Sequence, residues 1–336
     1  MVVKVGINGF GSIGRRFFRI AQQQKDFEIV AINDLMDAKT NRHLLQYDSN
    51  YGVWDHRVDV DGNDLVVDGK TVHIVAERDP GKISWREFGV DIVVESTGLF
   101  TDATKARAHI EGGGAKRVII SAPAKNEDIT IVLGVNQERY NPETDFVISN
   151  ASCTTNCLAP VAKVLHESFG IESGLMTTIH SYTNDQKLLD LAHSDLRRAR
   201  AGAMNIIPSS TGAARALHLV LPELKGKLNG MSLRVPTPVV SIVDLTVTTT
   251  KPVSQESANR ALEAAANGPL KGILGFSKEP LVSSDYKGNP LSSIVDSLET
   301  LTIGDHMLKV LSWYDNEWGY ANRLVELTGM VAKRGV

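Results

Sequence analysis

Two cysteines in 336 residues are too few for a disulfide framework, and without a second Cys or His pair at ligand spacing they outline no structural zinc site. Cys153 and Cys157 are therefore expected as free thiols in a reducing compartment, and no metal is expected. Charged residues are held to 22%, with a formal net charge of -3. Such a balance lacks the broad basic face of a polyanion binder, so no nucleic acid is required as a partner and small ligands are favoured. No apolar run approaches a membrane span, and the opening residues MVVKVGINGF enter a strand pattern without a basic and apolar leader, which reads as a cytoplasmic chain with no membrane partner. Low-complexity tracts, internal repeats and Pro/Ser-rich linkers are missing as well. What remains is a chain with 42% apolar residues, long enough for two ordinary cores.

The first half reads as a nucleotide-binding unit. Val2 to Ile7 is a β-branched run, Gly9-Phe10-Gly11-Ser12-Ile13-Gly14 follows, and Ile13, Phe17 and Ile20 then recur at helical spacing. Strand, glycine turn and helix in that order bring backbone amides close to a phosphate bridge, where a Cβ would block approach and the helix dipole favours negative charge. A second strand, Glu28 to Asn33, ends at Asp34. A carboxylate there accepts from a ribose 2′-OH and repels a 2′-phosphate, which favours NAD over NADP. The runs Asp91–Ser96, Arg117–Ser121 and Phe146–Ser149 read as buried parallel strands, with a helix at about Thr104 to Glu111. Alternation from Arg57 to Ala76 around Asp61-Gly62-Asn63 and Asp68-Gly69 predicts antiparallel hairpins inserted into the winding.

From Ile171 the pattern shifts to longer alternating strands, such as Met231–Val235 and Val239–Thr250, with helices near Gly212–Leu219 and Gln255–Ala266. This predicts an α+β domain on an antiparallel sheet. A last helix spans Asn316 to Lys333 and is expected to pack on the first domain. Before Ile171, Ser152 or Asn150 caps a helix whose apolar face is Leu158, Val161, Ala162 and Leu165, so Cys153 falls in the first turn and Pro160 should kink it. A first-turn thiol gains from the unpaired amides and the dipole, which makes Cys153 the nucleophile in preference to Cys157, one turn deeper. His180, alone among hydroxyls in Thr177–Thr183, supplies the minimum partner for an activated cysteine. Arg197, Arg198, Arg200 and Arg234 can clamp phosphates, and Ser209-Ser210-Thr211-Gly212 precedes a helix near Ala213.

Taken together, Gly9-Phe10-Gly11, Ser152-Cys153-Thr154-Thr155-Asn156-Cys157, His180-Ser181-Tyr182-Thr183-Asn184-Asp185, Asp195-Leu196-Arg197-Arg198-Ala199-Arg200 and Trp313-Tyr314-Asp315-Asn316-Glu317 resemble the phosphorylating glyceraldehyde-3-phosphate dehydrogenases, over essentially the whole chain. The resemblance implies an α/β fold: a doubly wound (Rossmann) parallel-sheet NAD-binding domain at 1–151, completed by a C-terminal helix at 317–336, and an α+β catalytic domain with a largely antiparallel sheet at 152–316. It implies that Cys153 attacks the aldehyde of glyceraldehyde 3-phosphate, that His180 takes the hydroxyl proton as hydride leaves for NAD, and that inorganic phosphate cleaves the thioester. The positions matching its two anion sites are Ser152, Thr154, Thr183, Arg198, Thr211, Gly212 and Arg234. Those matching its NAD site are Gly9, Gly11, Ser12, Ile13, Asp34, Arg78, Ser121 and Asn316, the last bonding the nicotinamide carboxamide. A homotetramer follows from the same resemblance, with the loop from Asn184 to Ala203 at a subunit interface.

Two positions depart from the family pattern. Ser12 replaces the usual Arg, removing a charge near the cofactor diphosphate and lowering the NAD affinity expected. Ala192 replaces the Pro of NAD-specific members, which loosens the exclusion of NADP. The alternatives at this stage are an erythrose-4-phosphate dehydrogenase, which hydrolyses its thioester, and a non-catalytic surface or RNA-binding side role.

Overall fold

The computed structural model describes residues 2–336; no helix among them is long and apolar enough to cross a membrane. The chain forms two compact units. One contains everything up to Ile131, Glu138–Ala151 and Ala321–Val336, and the other Val132–Gln137 and Ser152–Tyr320.

The first unit begins β1 (Val3–Asn8), α1 (Ser12–Ala21), β2 (Phe27–Asn33), α2 (Ala38–Gln46). After a small hairpin of β3 (Tyr47–Asp48) and β4 (Gly52–Val53) come β5 (Val58–Asp61), β6 (Asp64–Val67) and β7 (Lys70–Val75). The winding resumes with β8 (Ile92–Glu95), α3 (Ala103–Ala106), α4 (Ala108–Glu111), β9 (Arg117–Ile120), β10 (Ile129–Thr130) and β11 (Val147–Ser149). Nine strands line up as β10-β11-β9-β8-β1-β2-β7-β6-β5. From β10 to β7 every neighbour is parallel, and β7, β6 and β5 pair antiparallel. The inserted hairpins thus extend one edge of the sheet. Val5, Ile7, Ile92, Val93, Val94, Val118 and Ile119 are fully buried, consistent with a parallel sheet covered on both faces, which explains runs without alternation. The order reverses beside β1, and in such sheets the ligand crevice lies outside the carboxyl ends of the strands at that point, here β1 and β8. The helix expected at about Thr104–Glu111 forms as two short ones on either side of Arg107, which itself keeps helical dihedrals, and the second carries His109 to Trp85 and Glu95.

The second unit starts on α5 (Cys153–Phe169), followed by β12 (Ile171–Ser181), β13 (Ile207–Ser210), α6 (Ala213–Ala216), β14 (Leu228–Val235), β15 (Ser241–Thr249) and α7 (Gln255–Asn267). β16 (Leu274–Ser277), β17 (Ser293–Ile303) and β18 (Met307–Tyr314) complete its strands, and α8 (Trp318–Arg334), which belongs to the first unit from Ala321 on, ends the chain. The seven-stranded order is β13-β14-β12-β15-β18-β17-β16, antiparallel except for β12 with β14 and β16 with β17. β15 buries every second residue, Ser241, Val243, Leu245, Val247 and Thr249, and α5 and α7 pack on this sheet. Helix α5 runs through Pro160 without a break.

Candidate active site

In the first unit, Gly9 adopts φ +91 and a Cβ there would lie 2.7 Å from the Thr97 amide. Gly14 has no room at all: a Cβ would sit 2.2 Å from the Gly9 carbonyl, so α1 can approach the strand end only because residue 14 is bare. A Cβ on Gly11 would meet nothing within 4 Å, so no packing demands that glycine. Gly11 and half-buried Ser12 and Ile13 open α1, with Gly11 as its N-cap. Asp34 accepts from Phe10 N at 2.7 Å and from Met36 N at 2.9 Å. It therefore buttresses the glycine turn itself, a second use that spacing alone did not reveal. Ser121 lies just past β9, its amide on the Glu95 carbonyl, and Arg78 is exposed past β7. Beneath this crevice runs a buried chain. Trp85 Nε1 donates to His109 Nδ1 at 2.9 Å, which leaves Nε2 to donate to Glu95 at 3.1 Å, while Asn8 and Thr97 also donate to Glu95.

In the second unit Ser152 is the N-cap of α5, its Oγ accepting from Thr155 N at 3.0 Å. Cys153 is thus the first helical residue, among amides without intrahelical acceptors. Its Sγ lies 3.5 Å from His180 Nε2, carried by β12. His180 Nδ1 is 2.7 Å from the Ser181 carbonyl, which can only accept, and 3.2 Å from Arg234 Nη1, which can only donate; the shorter contact puts the proton on Nδ1 and turns the Nε2 lone pair to sulfur. Burial, with Arg234 next, lowers the imidazole to about 3, so His180 is a neutral base at physiological pH. Burial pushes the Cys153 thiol up from the ordinary value, against the opposing pull of Arg234 and the Thr154 hydroxyl and amide, while the residue keeps part of its surface open to solvent. Cys157 is fully buried, bonded to Ser293 and the Ser312 carbonyl, with its thiol pushed up to about 12.

Arg234, on β14, donates to the Ser181 carbonyl at 3.1 Å and to Thr183 Oγ1 at 3.3 Å, and its Nε is buried without a partner. Arg198 is held by Asp185 at 2.9 Å and reaches the Ser210 carbonyl at 3.2 Å, which places it at the end of β13 next to Thr211 and Gly212. Thr211 Oγ1 accepts from Ala213 N at 3.2 Å. Cys153, His180, Thr183, Arg234 and Arg198 therefore form one cluster by contact and field. The Thr154 hydroxyl faces away from solvent and is shared with Tyr314, whose OH also meets Thr178. Ala192 is exposed. Sequence reading missed Tyr314, Asp185, Ser181 and Ser241 as contributors, because their roles depend on partners many residues away.

A doubly wound sheet with an open glycine turn, and a thiol and imidazole beside two guanidiniums, are the features of a dinucleotide-dependent oxidoreductase. The family model described as glyceraldehyde 3-phosphate dehydrogenase, NAD binding domain, matches residues 3–103, and that of the C-terminal domain matches 152–316. The chain is 63% identical over 336 residues to glyceraldehyde-3-phosphate dehydrogenase of Geobacillus stearothermophilus and 62% identical to glyceraldehyde-3-phosphate dehydrogenase 1 of Bacillus subtilis, with 100% of both chains covered in each case. It is 57% identical to the Borreliella burgdorferi enzyme, covering 98% of this chain and 100% of that one. This chain belongs to the glyceraldehyde 3-phosphate dehydrogenase family and is an NAD-dependent oxidoreductase.

Proposed function

We propose that the chain oxidises D-glyceraldehyde 3-phosphate to 1,3-bisphosphoglycerate with inorganic phosphate as the second substrate, a glycolytic and gluconeogenic step. The observation that carries this reading is Cys153 Sγ at 3.5 Å from the unprotonated Nε2 of His180. As sulfur attacks the aldehyde carbon, Nε2 takes the thiol proton and returns it to the new hydroxyl, giving a thiohemiacetal. The same nitrogen then removes that hydroxyl proton as the carbon gives up hydride, and the carbonyl re-forms as a thioester. NAD, when bound, supplies the hydride acceptor. Phosphate adds to the thioester, the C–S bond breaks, and the thiol is regenerated. Arg234 stabilises negative charge at sulfur and disfavours a resting imidazolium, so a single cation prepares both partners.

For NAD, the open space over Gly11, the Asp34 carboxylate and an Asn316 amide nitrogen without a protein partner fit the group. Gly9, Gly11, Ser12, Ile13, Asp34, Arg78, Ser121 and Asn316 are the residues proposed to hold it. Ser152, Thr154, Thr183, Arg198, Thr211, Gly212 and Arg234 are proposed for the two phosphates, with Arg234 Nε a donor in want of an acceptor. We place the protein in the cytoplasm as a homotetramer.

Steady-state NADH formation tests the reading. Glyceraldehyde 3-phosphate should support turnover that depends on phosphate and vanishes in Cys153→Ala. Faster turnover of erythrose 4-phosphate, or activity retained without Cys153, would replace the substrate or the nucleophile respectively.

A further inference from the structure

Asn316 is nearly buried, and its Oδ1 accepts from two hydroxyls, Ser181 Oγ at 2.9 Å and Ser241 Oγ at 3.0 Å. Both serines are themselves buried. Ser241 Oγ in turn accepts from the backbone amide of Ser181 at 3.1 Å. The direction of this chain is not free. A backbone N–H can only donate, so it occupies a lone pair of Ser241 Oγ and turns that hydroxyl's proton elsewhere. Asn316 Oδ1 is the acceptor it finds, and Ser181 Oγ delivers a second proton to the same oxygen. Rotating the amide by half a turn would present Nδ2 to both serines and strand two buried hydroxyl protons, which buried polar groups avoid. Nδ2 therefore points away from the pair with its protons uncommitted.

We infer that Ser241 and Ser181 are positioning residues that lock the Asn316 amide in its donor-outward orientation, so that the site takes a nicotinamide through its carboxamide carbonyl and discriminates against a ring substituent lacking an acceptor there. This rests on Asn316 being the carboxamide contact proposed above. An asparagine left to itself shows either face with little preference; here the Ser181 backbone amide, acting through the one side chain of Ser241, sets the choice. Ser181 directly follows His180 on β12 and gives its carbonyl to the imidazole, so one residue aligns the base through its backbone and the cofactor contact through its side chain.

Equilibrium binding of NAD and of ADP-ribose, which lacks the nicotinamide ring, to the full-length protein by calorimetry separates the outcomes. Wild type should bind NAD more tightly than ADP-ribose, and Ser241→Ala with Ser181→Ala should weaken NAD roughly five- to tenfold while leaving ADP-ribose unchanged. The single change Ser241→Thr keeps the hydroxyl and should restore most of the difference. Equal weakening of both ligands in the double variant would mean general damage and overturn the inference, as would NAD binding at the wild-type level. If wild type itself binds the two ligands equally, the assignment of Asn316 to the carboxamide fails first. Should the double variant not fold, Asn316→Asp, which has no side-chain donor, must lose NAD preference over ADP-ribose.

Discussion

At the scale of single residues, the site is governed by one cation, a buried imidazole and a partly exposed thiol. Arg234 lowers the proton affinity of both Cys153 and His180, while burial pulls the two in opposite directions, raising the thiol and lowering the imidazole. Removing the charge by Arg234→Leu should raise the thiol further, since a thiolate loses its nearest counter-charge. Alkylation of Cys153 by iodoacetamide should then be slower at pH 7.5, with the rate profile displaced to higher pH; an unchanged profile would show that Arg234 does not act on sulfur. His180 gives a second handle through stability. Its folded value of about 3 lies below the ordinary 6.5, so the unfolded chain binds a proton that the folded one refuses at intermediate pH. The resulting stability is fully present above pH 6.5 and is lost as pH falls toward 3. From pH 7 to pH 5 this amounts to about 2 kcal/mol. In His180→Asn the stability gap between urea titrations at those two pH values should shrink by about that amount, and a gap equal to wild type would place the acid sensitivity elsewhere.

At the scale of elements, the turn from β1 to α1 separates glycines needed for the fold from one free for a ligand. Gly14→Ala forces a Cβ to 2.2 Å from the Gly9 carbonyl and should both lower the melting temperature and abolish NAD binding. Gly11→Ala meets no protein atom and Gly11 has φ -72, so the melting temperature should hold while NAD affinity drops tenfold or more by roughly 1.4 kcal/mol or above; unchanged NAD affinity would mean that the diphosphate does not approach this residue. These elements were legible because their signals are local. β1, β2 and the parallel strands announce themselves through runs rich in Val and Ile, α1 through Ile13, Phe17 and Ile20 at helical spacing, and α5 through Ser152 with Leu158, Val161 and Leu165 on one face. The contacts of His109 with Trp85 and Glu95 were not legible, since they join residues 14 and 24 positions apart. Helix position, which puts Cys153 in the first turn of α5, is written in sequence, but the opposing pulls of burial and Arg234 on its thiol are set by residues far along the chain. Hydrogen-bond direction at Asn316 depends likewise on Ser241, 75 positions away.

At the scale of the whole molecule, the loop between β12 and β13 is the segment that a single chain leaves least covered. Leu188 is 77% exposed, Leu189 76% and Leu196 81%, with Leu191, Met204 and Ile206 exposed nearby. Yet the loop is not slack: Leu191 N bonds the Ala199 carbonyl, Arg200 pairs with Asp190, and Arg198 pairs with Asp185. An internally braced loop that offers several large apolar side chains to water is the signature of a surface awaiting a protein partner. The homotetramer proposed above supplies one, and because the same loop carries Arg198, assembly and the phosphate site would share a structural element. Each leucine buried on assembly should contribute about 1.5–3 kcal/mol. Sedimentation of the wild type at micromolar concentration should therefore give the mass of four 36.5 kDa chains, and the double variant Leu188→Ser with Leu189→Ser should shift it to smaller species whose circular dichroism stays native. In those smaller species a loop deprived of its partner should hold Arg198 less firmly, raising KM for phosphate more than it lowers kcat. A wild type that sediments as a monomer, or a dissociated variant with an unaltered KM for phosphate, would separate the loop from assembly or assembly from catalysis.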